Sequence, residues 1–204
     1  MHEIILPDNV KPGLEWVNNR ILQKVSSERK HGLAQGRFWA ALDAWARERG
    51  LGTAATEWRF QVQPPGEIRR SLLPDVAYLS YERMSLNEQE RTDFPAVAPD
   101  AVVEILSRGD RRRDIEEKMR VYLAAGTAVV FLVDTERRSV TIRDAGYPRV
   151  LQERDFVEHE SLPGLRFAVR DLFDPLDLEA SYMGERATAH DRRTNLFAHA
   201  DKVK

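Results

Sequence analysis

The stretch Pro99-Asp100-Ala101-Val102-Val103-Glu104-Ile105-Leu106-Ser107, together with the helical pattern Arg112 to Ala125 and the run Ala128-Val129-Val130-Phe131-Leu132-Val133, decides the fold. Ala101 to Leu106 is nearly continuous apolar sequence with β-branched content, the signature of a central strand buried on both faces. Arg112 to Ala125 carries Ile115, Met119 and Tyr122 at helical spacing and stops at Gly126. Ala128 to Val133 is a second apolar strand. Strand, helix and strand over 101–133 form a βαβ-type unit, which predicts an α/β protein whose mixed sheet has parallel pairing at its centre.

Downstream, Ser139 to Arg143 is expected to pair back on the second strand across Thr135 to Arg138, and Val150 to Val169 to supply edge strands around Pro163-Gly164. Upstream, Asn18-Asn19 divides Leu14 to Val25 into an N-terminal β-hairpin. Ser26 or Ser27 is expected to cap a helix that runs to about Arg49 and ends at Gly50, with Phe38, Leu42 and Trp45 as its buried stripe. Continued backward, that stripe passes through Gln35, His31 and Glu28, so polar first turns point toward the same interior. Ala55 to Val62 predicts one strand, Pro64-Pro65-Gly66 a turn, and Leu72 to Leu79 another strand with Pro74 near its start. A polar loop over 80–98 includes a short helix near Ser85 to Arg91.

The chain has 204 residues, 42% hydrophobic and 31% charged, which suits one compact domain, here taken as residues 1–179. Residues 180–204 are polar and are expected to be loosely ordered or docked on a partner subunit. Lys plus Arg is 31 and Asp plus Glu is 33, a formal charge of −2, so nucleic acid cannot be gripped by bulk charge. The absence of cysteine excludes disulfide scaffolds, thiolate zinc sites and Cys nucleophiles, and fits a cytoplasmic protein. Met1 to Val10 lacks a secretory pattern, and no apolar run reaches the roughly 20 residues of a membrane helix.

Three ionisable residues occupy positions where the pattern calls for hydrophobes. Glu104 stands alone in its apolar strand, where an unpaired carboxylate would cost several kcal/mol, so a cation must meet it. Asp100 shares its strand face. Asp75 begins the apolar run Val76-Ala77-Tyr78-Leu79, and Lys118 sits at i+3 from Ile115 and i−4 from Tyr122 on the inner helix face. Two carboxylates and a lysine converging on a sheet suggest a hard-cation site of the Mg²⁺ type. Each also has a structural reading: Asp75 as a turn or cap, Lys118 snorkelling past Met119 or paired with Asp114, and Glu104 in an ion pair with Lys118 or an arginine.

Pro74-Asp75-Val76, then Pro99-Asp100-Ala101-Val102-Val103-Glu104-Ile105-Leu106-Ser107, then Asp110, Lys118, Tyr122 and Gly126 before a strand ending in Asp134, resemble the large bacterial family of putative restriction endonucleases of unknown function. That family is similar to the PD-(D/E)XK nuclease superfamily. The resemblance runs from about Leu14 to the Pro163-Gly164 region and implies a restriction-endonuclease-like mixed central sheet flanked by helices. It implies Asp75 and Glu104 as ligands of Mg²⁺ or Mn²⁺. The superfamily's usual lysine, two positions after the second acid, is replaced here by Leu106, and the resemblance places it instead on the following helix as Lys118. His31 matches the family's recurrent histidine and Glu28 is a further candidate; Tyr122 is expected to pack with its hydroxyl near Lys118.

The function implied is a metal-dependent endonuclease hydrolysing DNA, with a catalytically inactive nucleic-acid-binding or assembly module as the alternative. The cation would neutralise the phosphate and acidify a water, while Lys118 orients that water or stabilises developing charge. Arg108, Arg111, Arg112 and Arg113 could contact backbone phosphates, although Asp110, Asp114, Glu116 and Glu117 partly cancel them. A homodimer would supply one site per strand of a duplex.

Overall fold

The computed structural model describes residues 13–24 and 28–174. In chain order these form β1 (Leu14–Val17), β2 (Arg20–Gln23), α1 (Arg29–Arg49), β3 (Gly52–Thr56), β4 (Phe60–Val62), β5 (Arg70–Leu72), β6 (Val76–Ser80) and α2 (Leu86–Gln89). They continue with β7 (Ala101–Ile105), α3 (Arg112–Ala124), β8 (Val129–Asp134), β9 (Ser139–Arg143), β10 (Arg149–Leu151), β11 (Phe156–Val157), β12 (Phe167–Ala168) and a closing 3-10 turn (Val169–Leu172). Six strands make the central sheet in the order β10-β9-β8-β7-β6-β3. The β7–β8 pair is parallel and its neighbours are antiparallel, the mixed sheet expected from the 101–133 unit.

One core lies between the sheet and α1, where Phe38, Leu42 and Trp45 meet Val103 and Phe131. A second lies under α3, where Met119, Val121 and Tyr122 meet Val102 and Val130. Strand β7 therefore sends Ala101, Val103 and Ile105 to the first core and Val102 to the second. By alternation Glu104 faces α3.

The N-terminal hairpin forms with Asn18 and Asn19 at φ 49° and 57°, the left-handed pair of a two-residue hairpin turn. Its register pairs Trp16 with Ile21, and its buried side carries Glu15 and Val17. Helix α1 ends at Gly50 with φ 62°. Its N-cap position is Glu28, without a side-chain cap bond, so the helix starts after the serines expected to cap it; Ser26 and Ser27 lie outside the described residues, as does the 180–204 tail. The short helix at 85–91 is α2, held by a capping box between Ser85 and Glu88.

Two expected strands are each broken in two. Ala55 to Val62 is not continuous: β3 stops at Thr56, Glu57 turns at φ 49°, and β4 begins at Phe60. Leu72 to Leu79 likewise parts into β5 and β6 at Leu73-Pro74-Asp75, where Pro74 has no N–H for a ladder. The breaks meet, since Glu57 N–H donates to the Asp75 carbonyl at 3.2 Å. Beyond them β4 and β5 form their own two-stranded ribbon. Of the edge strands expected over Val150 to Val169, only β10 joins the central sheet, because the turn closed by Gln152 and Asp155 sends the chain into a separate β11–β12 ribbon. Among the described residues no helix is long and apolar enough to cross a membrane.

Candidate functional site

The bend that ends β5 leaves Asp75 one residue before β6. Strand β6 pairs with β7 through Val76 opposite Val103, so one further step of the register sets Asp75 opposite Glu104. Cross-strand partners in an antiparallel pair point to one side of the sheet, with Cβ atoms roughly 5 Å apart. The two strands are tied at this level by the Ile105 N–H, which donates to Asp75 Oδ2 at 2.7 Å. Two carboxylates are thereby delivered to one spot by rigid elements.

Helix α3 supplies the cation that Glu104 demands. Lys118 Nζ donates to Glu104 Oε2 at 2.6 Å and to Glu15 Oε2 at 3.2 Å, and all three side chains are buried. Lys118 thus neither snorkels nor pairs with Asp114, which is engaged by Arg20 and Asn18 of the hairpin. One helical turn on, the Tyr122 hydroxyl donates to Glu104 Oε1 at 3.4 Å, so its role extends beyond packing. Glu15 has a second task, its Oε1 accepting the Leu73 N–H at 2.8 Å just ahead of the Pro74 bend.

Asp75 is held from three sides. Lys24 Nζ at the end of the hairpin donates to Oδ1 at 2.6 Å, and His31 Nε2 from α1 lies 3.3 Å from Oδ2. Gln35, one turn further along α1, donates to the Asp75 carbonyl at 2.8 Å. Glu28 is not brought in: about half exposed, it lies 3.9 Å from Arg108, at the N-cap of α1 where the backbone is still extended and the helical stripe has not begun.

The electrostatics follow from burial and neighbours. Burial pushes the Glu104 carboxyl up to about 7; Lys118 pulls it back, and the nearby Asp75 and Glu15 carboxylates add to the rise. Burial also raises Asp75, but the His31 hydrogen bond and the Lys24 charge outweigh it and hold the group below the usual carboxylate range. Burial disfavours the Lys118 ammonium, yet Glu104, Glu15 and Asp75 together hold its pKa above the normal lysine value, so it stays charged.

These groups line a cleft of about 210 Å³ that also receives Arg20, Asp110 and Arg111. Of the four arginines singled out in the sequence, Arg111 reaches the cleft, whereas Arg108, Arg112 and Arg113 are exposed outside its lining. Arg108 lies against Glu136 and Glu28, and Arg113 lies 3.7 Å from Asp114. Asp100 shares no part of the site: it anchors the far end of β7, accepting from the Ser80 N–H and Arg83. Glu15 and Lys24 were not foreseen. Both come from the hairpin, whose turn was legible but whose inward face was not.

Among the described residues no group of three or more His, Asp or Glu is arranged as a ready metal cage. The donor set nevertheless suits a hard divalent cation: two oxygen-donor carboxylates on one side of the sheet, with two ammonium groups crowded against them where positive charge is demanded. Mg²⁺ commonly takes one or two carboxylates and completes its shell with water and phosphate oxygens, so two are enough.

The chain resembles in fold a putative nuclease belonging to DUF820 from Anabaena variabilis ATCC 29413, with a TM-score of 0.73, 23% identity, and coverage of 83% of this chain and 93% of that one. No curated protein matches the chain. The family model described as a putative restriction endonuclease matches residues 2–170, a span that includes the hairpin, α1, both carboxylates and α3. The chain is therefore a member of the Uma2 family of putative restriction endonucleases.

Proposed function

We propose that this protein is a divalent-metal-dependent endonuclease that hydrolyses phosphodiester bonds in DNA. One observation carries the reading: Asp75 and Glu104, brought opposite each other by β6 and β7, share their cleft with the Lys118 ammonium 2.6 Å from Glu104. Family membership and the fold of a neighbour described as a nuclease support a nuclease activity; the metal and the DNA substrate rest on the chemistry of the site.

Asp75 and Glu104 would hold the cation, which when bound supplies positive charge against the phosphate and makes a water more acidic. Lys118 is clamped by Glu104 and Glu15, so it meets charge building on the reacting phosphate without reorganising. Its raised pKa makes it a charge stabiliser and not a proton donor near neutrality. His31 and the Ile105 N–H fix the Asp75 carboxylate, and Tyr122 steadies Glu104. Arg111 at the cleft edge is placed to take a backbone phosphate without reading a base. Two strands of a duplex call for two such sites, which a homodimer would supply.

The test is nicking or linearisation of supercoiled plasmid. The wild type is expected to cut with Mg²⁺ or Mn²⁺ and to stop in excess chelator, while Glu104→Gln and Asp75→Asn lose at least 100-fold in rate with an unchanged circular dichroism spectrum. Cutting that survives in both variants would overturn the assignment. DNA binding without cleavage under either metal would instead identify a non-catalytic module of the same fold.

A further inference from the structure

The two lysines of the cleft are held differently. Lys118 is buried, with two carboxylates on its ammonium. Among the described residues the Lys24 ammonium makes one hydrogen-bonded ion pair, to Asp75 Oδ1, and its side chain is 17% exposed. Its main chain is fixed by a bond from Lys24 N–H to the Gly13 carbonyl at 2.9 Å, so the ammonium hangs on a flexible four-carbon stem from a fixed point. The oxygen it occupies matters. Asp75 Oδ2 is already taken by the Ile105 N–H and faces His31, which makes Oδ1 the oxygen available to a cation entering between Asp75 and Glu104. An ammonium and a divalent ion cannot share that oxygen at contact distance, because like charges so close repel strongly in a partly dehydrated cleft.

We propose that Lys24 is a tethered competitor for the metal: its ammonium occupies Asp75 Oδ1 in the metal-free protein and must leave that oxygen for a divalent cation to bind. This rests on the metal-dependent reading above. The lysine adds its charge to the His31 and Ile105 N–H contacts that already support the buried carboxylate, and by doing so it weakens the site for metal. Its long stem lets the displaced ammonium turn toward the open side of the cleft, where an anionic phosphate would arrive.

The experiment is a calorimetric titration of the metal-free full-length chain with MnCl2, which needs no turnover. Lys24→Met is expected to bind Mn²⁺ at least tenfold more tightly than the wild type, Lys24→Arg to remain close to wild type because it keeps the charge, and Glu104→Gln to lose binding. Equal or weaker binding by Lys24→Met overturns the competition while leaving the metal site intact. Absence of Mn²⁺ binding in folded wild type and folded Lys24→Met overturns the metal-dependent reading and this inference with it. If Lys24→Met is unfolded without metal, Lys24→Gln is titrated in its place, and the rise in Tm on adding Mn²⁺ is compared with wild type. A larger rise in the variant is expected, and an equal or smaller one counts against the proposal.

Discussion

Glu104 shows how one residue can be costly for the fold and useful to the site. It is buried in a central strand of the sheet, and among the described residues its carboxylate accepts hydrogen bonds from the Lys118 ammonium and the Tyr122 hydroxyl alone. Burial raises its pKa from 4.5 to about 7, so between those values the folded chain holds a proton that the unfolded chain has released. The stability from this group is full below about 4.5 and is lost as pH rises through about 7. Asp75 works in the opposite sense, contributing stability above the ordinary carboxylate range and losing it only in strong acid, as its depressed folded pKa is crossed. In chelator, the wild type should therefore lose stability relative to Glu104→Gln between pH 5 and pH 8, by on the order of 3 kcal/mol. Urea denaturation at the two pH values measures the difference, and parallel pH profiles for the two proteins would show that Glu104 does not titrate in this range.

At the scale of elements, the hairpin places more of the site than its length suggests. Strand β1 brings Glu15 to Lys118, the residue after β2 brings Lys24 to Asp75, and Asn18 and Arg20 dock the turn on Asp114 of α3. The turn depends on two residues with positive φ, which asparagine and glycine tolerate and β-branched residues do not. Asn19→Val should cost about 1–3 kcal/mol in chemical denaturation, whereas Asn19→Gly should be neutral or stabilising. Equal effects of the two would mean that the turn is not formed in solution. The turn was legible because Asn-Asn between two strand-like segments has a mechanism. The burial of Glu15 was not, because in Leu-Glu-Trp-Val the large apolar residues Leu14 and Trp16 occupy the other side of the strand. A lysine ending a hairpin, such as Lys24, likewise resembles an ordinary solvated one. The 101–133 unit was readable because continuous apolar strands and a periodic helix leave little choice, and Asp75, Glu104 and Lys118 stood out as ionisable groups among hydrophobes. The bend at Glu57 was hidden because strand-like residues flank it on both sides, whereas the bend that presents Asp75 carried a signal in Pro74, which cannot donate to a ladder and was expected near the start of one strand, not as the divider of two.

Across the whole molecule, the formal charge of −2 leaves no general attraction for a polyanion, so any grip on DNA must come from where the cations sit. In the cleft, Lys24, Lys118 and Arg20 are already answered by Asp75, Glu104, Glu15 and Asp114. Arg111 stands at the cleft edge, while Arg112 is exposed outside it. Each cation that neutralises a phosphate releases condensed counterions and adds about 0.9 to the slope of log affinity against log salt. Duplex binding measured with Ca²⁺ across a salt series should therefore have a shallow slope. Arg111→Ala should reduce it by about 1, and Arg112→Ala should leave it unchanged. A steep slope insensitive to Arg111, or one that falls equally with Arg112, would mean that the duplex lies on another face. The same accounting shows how the proposed activity is compatible with a near-neutral chain: a divalent cation held between Asp75 and Glu104 would add two positive charges to the cleft, where that proposal places the scissile phosphate.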